Sequence, residues 1–96
     1  MLLEVITPDE TLFKGNISHV VLPGIDGSFG ILNGHAPMIS ALAKGSVKVD
    51  QIVAENNGEE FEGKYNEEFK GKDSFAFKIN GGVIEVKDNS VIVLAE

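Results

Sequence analysis

The sequence predicts an all-β fold, arranged either as a sandwich or as a barrel. Short apolar runs rich in β-branched residues recur along the chain, and several of them alternate between apolar and polar positions. Glycine, asparagine and proline separate these runs at short intervals, and no stretch shows a convincing helical period. Because the chain has 96 residues, we expect a single domain over residues 1–96 with one thin core.

The first half of the chain begins this sheet. Residues 2–7 are apolar and β-branched, and a turn that contains proline follows them. Alternation along residues 17–23 places Ile17, His19 and Val21 on one face of a strand. A histidine between two apolar neighbours on that face is expected to be partly buried and structural, rather than a general base.

The middle and the end of the chain differ in their pattern. Residues 51–74 are rich in glutamate, and the spacing of Phe61, Tyr65 and Phe69 fits one face of a helix or of a strand, so we interpret the segment as an acidic insertion that forms a polar excursion such as an extended hairpin. Asn80-Gly81-Gly82 lies between two extended runs and is typical of a hairpin turn shaped by its two glycines. Residues 90–95 are apolar on both faces, which predicts a central strand covered on both sides.

Composition limits the classes of partner. The net charge is −7, which disfavours nucleic acid and anionic membrane surfaces because their phosphates would repel the chain. No apolar run is long enough to span a bilayer, so direct lipid insertion is not expected. The chain has no cysteine, which excludes disulfides and thiol chemistry. Protein partners are therefore the expected class.

Residues 24–37 carry the densest set of glycines, at positions 24, 27, 30 and 34. Such a stretch forms either a phosphate-binding loop or a series of tight corners. The lysine of a P-loop is missing, and Pro37 prevents a helix from following closely, as a dinucleotide fingerprint would need. Corners are favoured, because glycine accepts the positive φ angles of tight reversals. The residues expected to shape this loop are Gly24, Gly30, Gly34 and Pro37.

Candidate catalytic and metal-binding residues are sparse. His35 lies beside the glycine-rich loop and is expected to bond a backbone carbonyl or to touch a partner rather than to catalyse a reaction. The two histidines, without cysteine, form no recognisable zinc spacing, and the acids of residues 55–73 lack EF-hand order. No serine lies in a nucleophile elbow. The sequence therefore predicts no metal site, no cofactor and no catalytic residue.

Five blocks of the sequence carry a family resemblance. They are GSFGILNGHAP at residues 27–37, LEVITP at 3–8, LFKG at 12–15, NGGVIEV at 80–86 and VIVLA at 91–95. In order and spacing, these blocks closely resemble the epsilon subunit of F-type ATP synthase, which is called delta in mitochondria.

The resemblance implies a flattened β-sandwich of about ten short strands. It also implies a non-catalytic rotor subunit of the central stalk, which links the gamma subunit to the membrane c-ring and couples ion translocation to ATP synthesis. Such a subunit would be monomeric alone and peripheral on the cytoplasmic face of a bacterial inner membrane. Family members commonly continue into two inhibitory, ATP-sensing C-terminal helices, and this chain is expected to lack that helical hairpin. The alternative is a free-standing β-sandwich that binds a protein or a glycan.

The resemblance also assigns two sets of contact residues. Position by position, the corner that meets the c-ring would comprise Asp26, Gly27, Ser28 and Phe29. The residues expected to lie toward gamma are His35, Met38 and Ser40. Many family members carry an acid where Ser28 stands, so the ring contact here would depend on Asp26 for its negative charge.

Overall fold

The computed structural model describes residues 1–52, 67–70 and 74–96, and β-strands organise these residues. The predicted all-β fold is therefore confirmed. Across the same ranges, no helix is long and apolar enough to cross a membrane. Seven strands are present in the described residues: β1 (Leu2–Ile6), β2 (Thr11–Gly24), β3 (Gly27–Leu32), β4 (Met38–Gln51), β5 (Glu67–Lys70), β6 (Ser74–Lys87) and β7 (Ser90–Ala95).

Three of these strands, β2, β4 and β6, are 14 residues long, and each takes part in two layers. The first layer, called here the β3 layer, contains β3, β5 and residues 17–24 of β2, 44–51 of β4 and 74–80 of β6. The second, called the β1 layer, contains β1, β7 and residues 11–16 of β2, 38–42 of β4 and 82–87 of β6. Because each long strand crosses both layers, segments that the sequence pattern predicts as separate short strands are two parts of one continuous strand.

Strand β1 closes the sheet on itself. It pairs in parallel with β7, where Leu2 lies opposite Ser90, and antiparallel with β2, where Leu2 lies opposite Asn16. Both sides of β1 are therefore paired, and the two layers form a closed sandwich.

The core lies between the layers and is formed by alternate, inward-facing side chains. The Phe13 ring of the β1 layer and the Phe75 ring of the β3 layer are 5.1 Å apart between centroids, at an interplanar angle of 51°. Phe77 lies beside Phe75, with 6.0 Å between the ring centroids. These rings tie the two layers together. The other core residues are Leu3, Val5, Ile17, Val20, Leu22, Ile31, Leu42, Val47, Val49, Ile79, Ile84, Val86, Val91, Val93 and Ala95.

The hairpin predicted at Asn80-Gly81-Gly82 is wrong. Strand β6 runs through these residues without reversing, because residues 38–50 of β4 pair antiparallel with residues 74–86 of β6 in one ladder. Gly81 and Gly82 have φ angles of 115° and 152° and lie where β6 passes from one layer to the other. These two glycines shape a bend within a strand, not a turn between strands.

The predicted grouping of His19 with Ile17 is wrong, whereas His19 and Val21 do lie on the same side of β2. The ladder between β2 and β4 shifts between Ile17 and His19, which places an extra residue in β2. Inward-facing positions change from odd to even numbers across this bulge, so Ile17 and Val20 are buried while His19 lies on the outer side of the sheet. The His19 side chain is 34% exposed, which confirms its predicted partial burial.

Most of the acidic insertion predicted at residues 51–74 lies outside the described residues. Gln51 is buried at the end of β4, and Ser74 begins β6, so the two ends of this segment belong to the sandwich. Residues 67–70 form β5, which pairs antiparallel with β6.

Replacing Gly82 by alanine is expected to destabilise the sandwich. The added methyl group would overlap the carbonyl oxygen of Leu94 on β7, and overpacking of this kind typically costs about 1–3 kcal/mol. The matched control is Gly34→Ala, because Gly34 also has a positive φ, of 81°, but no heavy atom of the described residues would lie within 4 Å of its methyl group. Urea unfolding should show the larger loss of stability for Gly82→Ala. Equal losses would mean that backbone strain, and not the contact with Leu94, makes glycine necessary there.

Candidate docking surfaces

The hairpin between β2 and β3 projects a two-residue turn into solvent. Gly24 pairs with Gly27, and Ile25 and Asp26 form the turn between them. A Cβ atom at Gly24 would lie 2.6 Å from the Gly27 carbonyl oxygen and 2.8 Å from Phe29 Cδ1, and Gly27 itself has a φ of 124°. Glycine is therefore required on both sides of the turn, which keeps the hairpin short and tight.

Only some of the residues predicted to meet the ring lie together at this tip. Asp26, Gly27 and Ser28 are exposed, whereas Phe29 faces inward and is half-buried against the core. The structure adds Ile25, whose side chain is 66% exposed. Ile25 was not among the predicted contact residues. Its place between a glycine and an aspartate in a polar turn could have indicated an exposed apolar side chain.

Gly30 makes room for a histidine rather than forming a corner. A Cβ atom at Gly30 would lie 2.7 Å from His19 Nε2, so the imidazole covers the strand at this point. On its other side, His19 Nδ1 is 3.5 Å from Asp50 Oδ2. Within the part of the chain that the structure describes, no three histidine, aspartate or glutamate side chains come together as a metal site would require. The surroundings of His19 are those of a packing residue.

The loop after β3 is shaped by its own hydrogen bonds. Gly34 has a φ of 81°, and the His35 amide donates to the Leu32 carbonyl oxygen at 3.1 Å. The exposed His35 imidazole donates from Nδ1 to the Ala36 carbonyl oxygen at 2.7 Å. His35 thus bonds a backbone carbonyl, as expected, and Pro37 follows at the entrance to β4.

Asn89, in the turn between β6 and β7, holds this loop from the other side. Its Oδ1 accepts a hydrogen bond from the Gly34 amide at 3.0 Å, and its Nδ2 donates to Asn33 Oδ1 at 2.7 Å. Its carbonyl oxygen accepts from the Leu2 amide at 3.3 Å. Asn89 and Asp88 have φ angles of 60° and 50°, a left-handed conformation that these residue types tolerate better than most. One residue therefore connects the loop to the start of β1.

The three residues predicted to face gamma do not share one surface. His35 is exposed, whereas Met38 and Ser40 are half-buried at alternate positions of β4, and Met38 packs against the core. Between them, Ile39 faces outward and is 72% exposed. The outward side of this strand is therefore apolar.

Ile39 belongs to a continuous surface on the outer side of the β1 layer, called here the apolar face. Cross-strand pairing places its side chains in neighbouring positions on β4, β6, β7 and β1. Val83 is 41% exposed and Leu94 is 53% exposed. The members of the face are Ile6, Ile39, Ala41, Val83, Ile92 and Leu94, and a groove of about 350 Å³ runs between Ile6, Ile39, Val83, Glu85, Ile92 and Leu94.

Strand β7 contributes Ile92 and Leu94 to this surface. Residues 90–95 were expected to form a central strand, and β7 does lie between β6 and β1. The prediction that the strand is covered on both sides is wrong, because Leu94 on its outer side is largely exposed. A strand that is apolar on both faces but covered on one presents a surface suited to a partner.

The described residues thus form a closed β-sandwich domain with a tight hairpin and an exposed apolar face. Residues 1–61 match the family described as the ATP synthase delta/epsilon chain, β-sandwich domain. Over 94 residues, the chain is 33% identical to the ATP synthase epsilon chain of Chlorobium limicola, and the alignment covers 98% of this chain and 86% of that one. It is 35% identical to the epsilon chain of Desulforamulus reducens, with 98% of this chain and 57% of that one covered. The chain therefore belongs to the ATP synthase delta/epsilon family.

Two solved structures have a similar fold. A chain in the central stalk and c-ring structure of Tetrahymena thermophila mitochondrial ATP synthase matches with a TM-score of 0.71 at 20% identity, over 99% of this chain and 62% of that one. A chain of the Euglena gracilis mitochondrial ATP synthase matches with a TM-score of 0.73 at 21% identity, over 99% of this chain and 49% of that one. At these identities the likeness shows the shared sandwich fold.

Substitution of Asn89 tests its hold on the loop. Asn89→Gly keeps the left-handed backbone but removes both side-chain hydrogen bonds, so the Gly34 amide should exchange with solvent about fivefold faster. Asp88→Gly is the matched control, because it changes the neighbouring left-handed residue and leaves the bonds of Asn89 in place. Hydrogen exchange followed by NMR measures both. An unchanged Gly34 exchange rate in Asn89→Gly would show that the loop keeps its conformation without the Asn89 side chain.

Proposed function

We propose that this chain is a non-catalytic rotor subunit in the central stalk of an F-type ATP synthase. It links the gamma subunit to the membrane c-ring and so couples ion translocation to ATP synthesis. Membership of the delta/epsilon family supports this assignment. The observation that carries it is the apolar face, because a chain with a net charge of −7 exposes Ile39, Val83 and Leu94 to water on one continuous surface.

The gamma subunit is the proposed occupant of the apolar face. Fully burying one aliphatic side chain contributes about 1.5–3 kcal/mol, and several such side chains must act together to offset the entropy lost on association. In this proposal Ile39 makes the contact, because alternation along β4 turns its side chain outward, and His35 lies at the rim. Met38 and Ser40 lie on the inner side of β4, where Met38 packs against the core.

The proposed contact with the c-ring is the tip of the β2–β3 hairpin. Ile25, Asp26 and Ser28 are exposed there, and Gly27 permits the tight turn. A two-residue turn between paired strands has few free torsions. A force applied at the tip is therefore transmitted to β2 instead of deforming the loop. Among the described residues, Asp26 supplies the only carboxylate at this tip, so the ring surface opposite is expected to be polar or basic.

The unit that carries both contacts is the sandwich domain of residues 1–96. In this proposal it is attached through gamma and the ring rather than through lipid, peripheral to the cytoplasmic face of a bacterial membrane. Both relatives named above come from bacteria. The proposal assigns the chain a mechanical role in which no bond is made or broken.

Substitutions at two exposed isoleucines distinguish the proposed gamma contact from the proposed ring contact. Ile39→Asp places a charge in the apolar face and is expected to weaken binding to purified gamma by about tenfold or more, because the carboxylate loses its water on docking. Ile25→Asp is the matched control at the hairpin tip and should leave gamma binding unchanged. Both side chains are exposed, 72% and 66%, so neither substitution should unfold the chain. Calorimetric titration of each variant with gamma measures the difference.

Each arm of this experiment has a result that overturns part of the proposal. Gamma binding that survives Ile39→Asp would exclude the apolar face as the docking site. Intact, coupled synthase complexes assembled without this chain would exclude the rotor role itself.

A further inference from the structure

One charged side chain lies within the apolar face. Glu85 on β6 lies opposite Ile39 of β4 on one side and opposite Ile92 of β7 on the other. It faces outward, is exposed, and lines the groove of about 350 Å³. It also lines a neighbouring groove of about 480 Å³, together with Pro37, Met38, Ile39, Val86 and Lys87.

The Glu85 carboxylate has no cationic partner among the described residues. No lysine nitrogen of residues 1–52 or 74–96 lies within 4.0 Å of it. Lys87 is two positions further along β6, on the same side of the strand but at the rim of the face. In the free protein, water therefore solvates this carboxylate.

Glu4 provides an internal comparison, because it lies in the same row of the sheet. Its partner on β7 is Ile92, as for Glu85, but its partner on β2 is Lys14. A cation of this chain therefore lies across the strand pair from Glu4, whereas Glu85 has isoleucine on both sides. The two glutamates share one row and differ in their cross-strand neighbours, since only Glu4 has a lysine at a directly paired position.

Docking a partner onto the apolar face would remove the water from Glu85. A carboxylate that loses its water without gaining a counter-charge strongly opposes association. The face can therefore bind tightly only a surface that is apolar and also presents a cation opposite this position. This requirement gives a single charged group control over which surfaces fit.

We infer that Glu85 pairs with a lysine or arginine side chain of the docked gamma subunit and sets its register on the apolar face. This inference rests on the proposed function, because it names a feature of the same interface. Within that interface, Ile39, Val83 and Leu94 supply the buried apolar area, and Glu85 supplies the specificity.

The test is the binding of purified gamma to Glu85→Gln, with Glu4→Gln as the matched control. Both substitutions remove one charge and keep the shape of the side chain. Glu85→Gln should weaken binding by about tenfold or more and reduce its dependence on salt concentration, whereas Glu4→Gln should change affinity by less than about twofold. Glu85→Lys should bind still more weakly, and reversing the charge of one basic gamma residue at a time should restore its binding at one position.

The outcomes separate this inference from the function on which it rests. If wild-type chain binds gamma, Ile39→Asp abolishes binding and Glu85→Gln binds normally, the pairing is overturned and the docking face stands. Failure of every charge reversal in gamma to restore Glu85→Lys would also overturn it. If wild-type chain does not bind gamma at all, the proposed function fails first.

Discussion

Continuous pairing between β4 and β6 is the constraint on which the rest of the structure depends. The two strands stay in one antiparallel ladder while both cross from the β3 layer to the β1 layer, with Leu42 opposite Gly82 at the crossing. The crossing is possible because glycine lies at the points of closest approach. A side chain at Gly82 would overlap the carbonyl of Leu94, and a Cβ at Gly45 would lie 2.7 Å from the Cβ of Pro23.

The ladder between β2 and β4 sets the relation between the two proposed contacts. Gly24 at the base of the hairpin pairs with Leu42, which directly follows Ala41 of the apolar face. A single backbone pairing between β2 and β4 therefore connects the base of the hairpin to the strand that carries part of the apolar face. Asn89 has a similar role at the His35 loop, because its hydrogen bonds join that loop to the start of β1. The hairpin and the His35 loop are thus both tied to strands that carry the face.

Local pattern predicted the features that depend on local geometry. Alternation predicted the β-strands, and glycine content predicted the tight turn at Gly27, because side-chain direction and φ are properties of a short stretch. The bend at Gly82 was mistaken for a hairpin, because an extended glycine pair resembles a turn unless the partner strand is known. The bulge that turns His19 outward cannot be detected in the alternation of apolar and polar residues, because it is defined by the register with β4. The apolar face could be seen only in part, because apolar residues on both sides of β7 do not show whether this chain or another covers them.

The parallel pairing of β1 with β7 has a consequence for how the protein folds during synthesis. Leu2 emerges from the ribosome long before Ser90, yet the two residues are neighbours in the finished sheet. Until β7 emerges, β1 can be held only by its antiparallel contact with β2, and its other side remains available to any extended segment nearby. Closure of the sandwich is therefore a late event that joins residues distant in sequence, and such pairing is intrinsically slow.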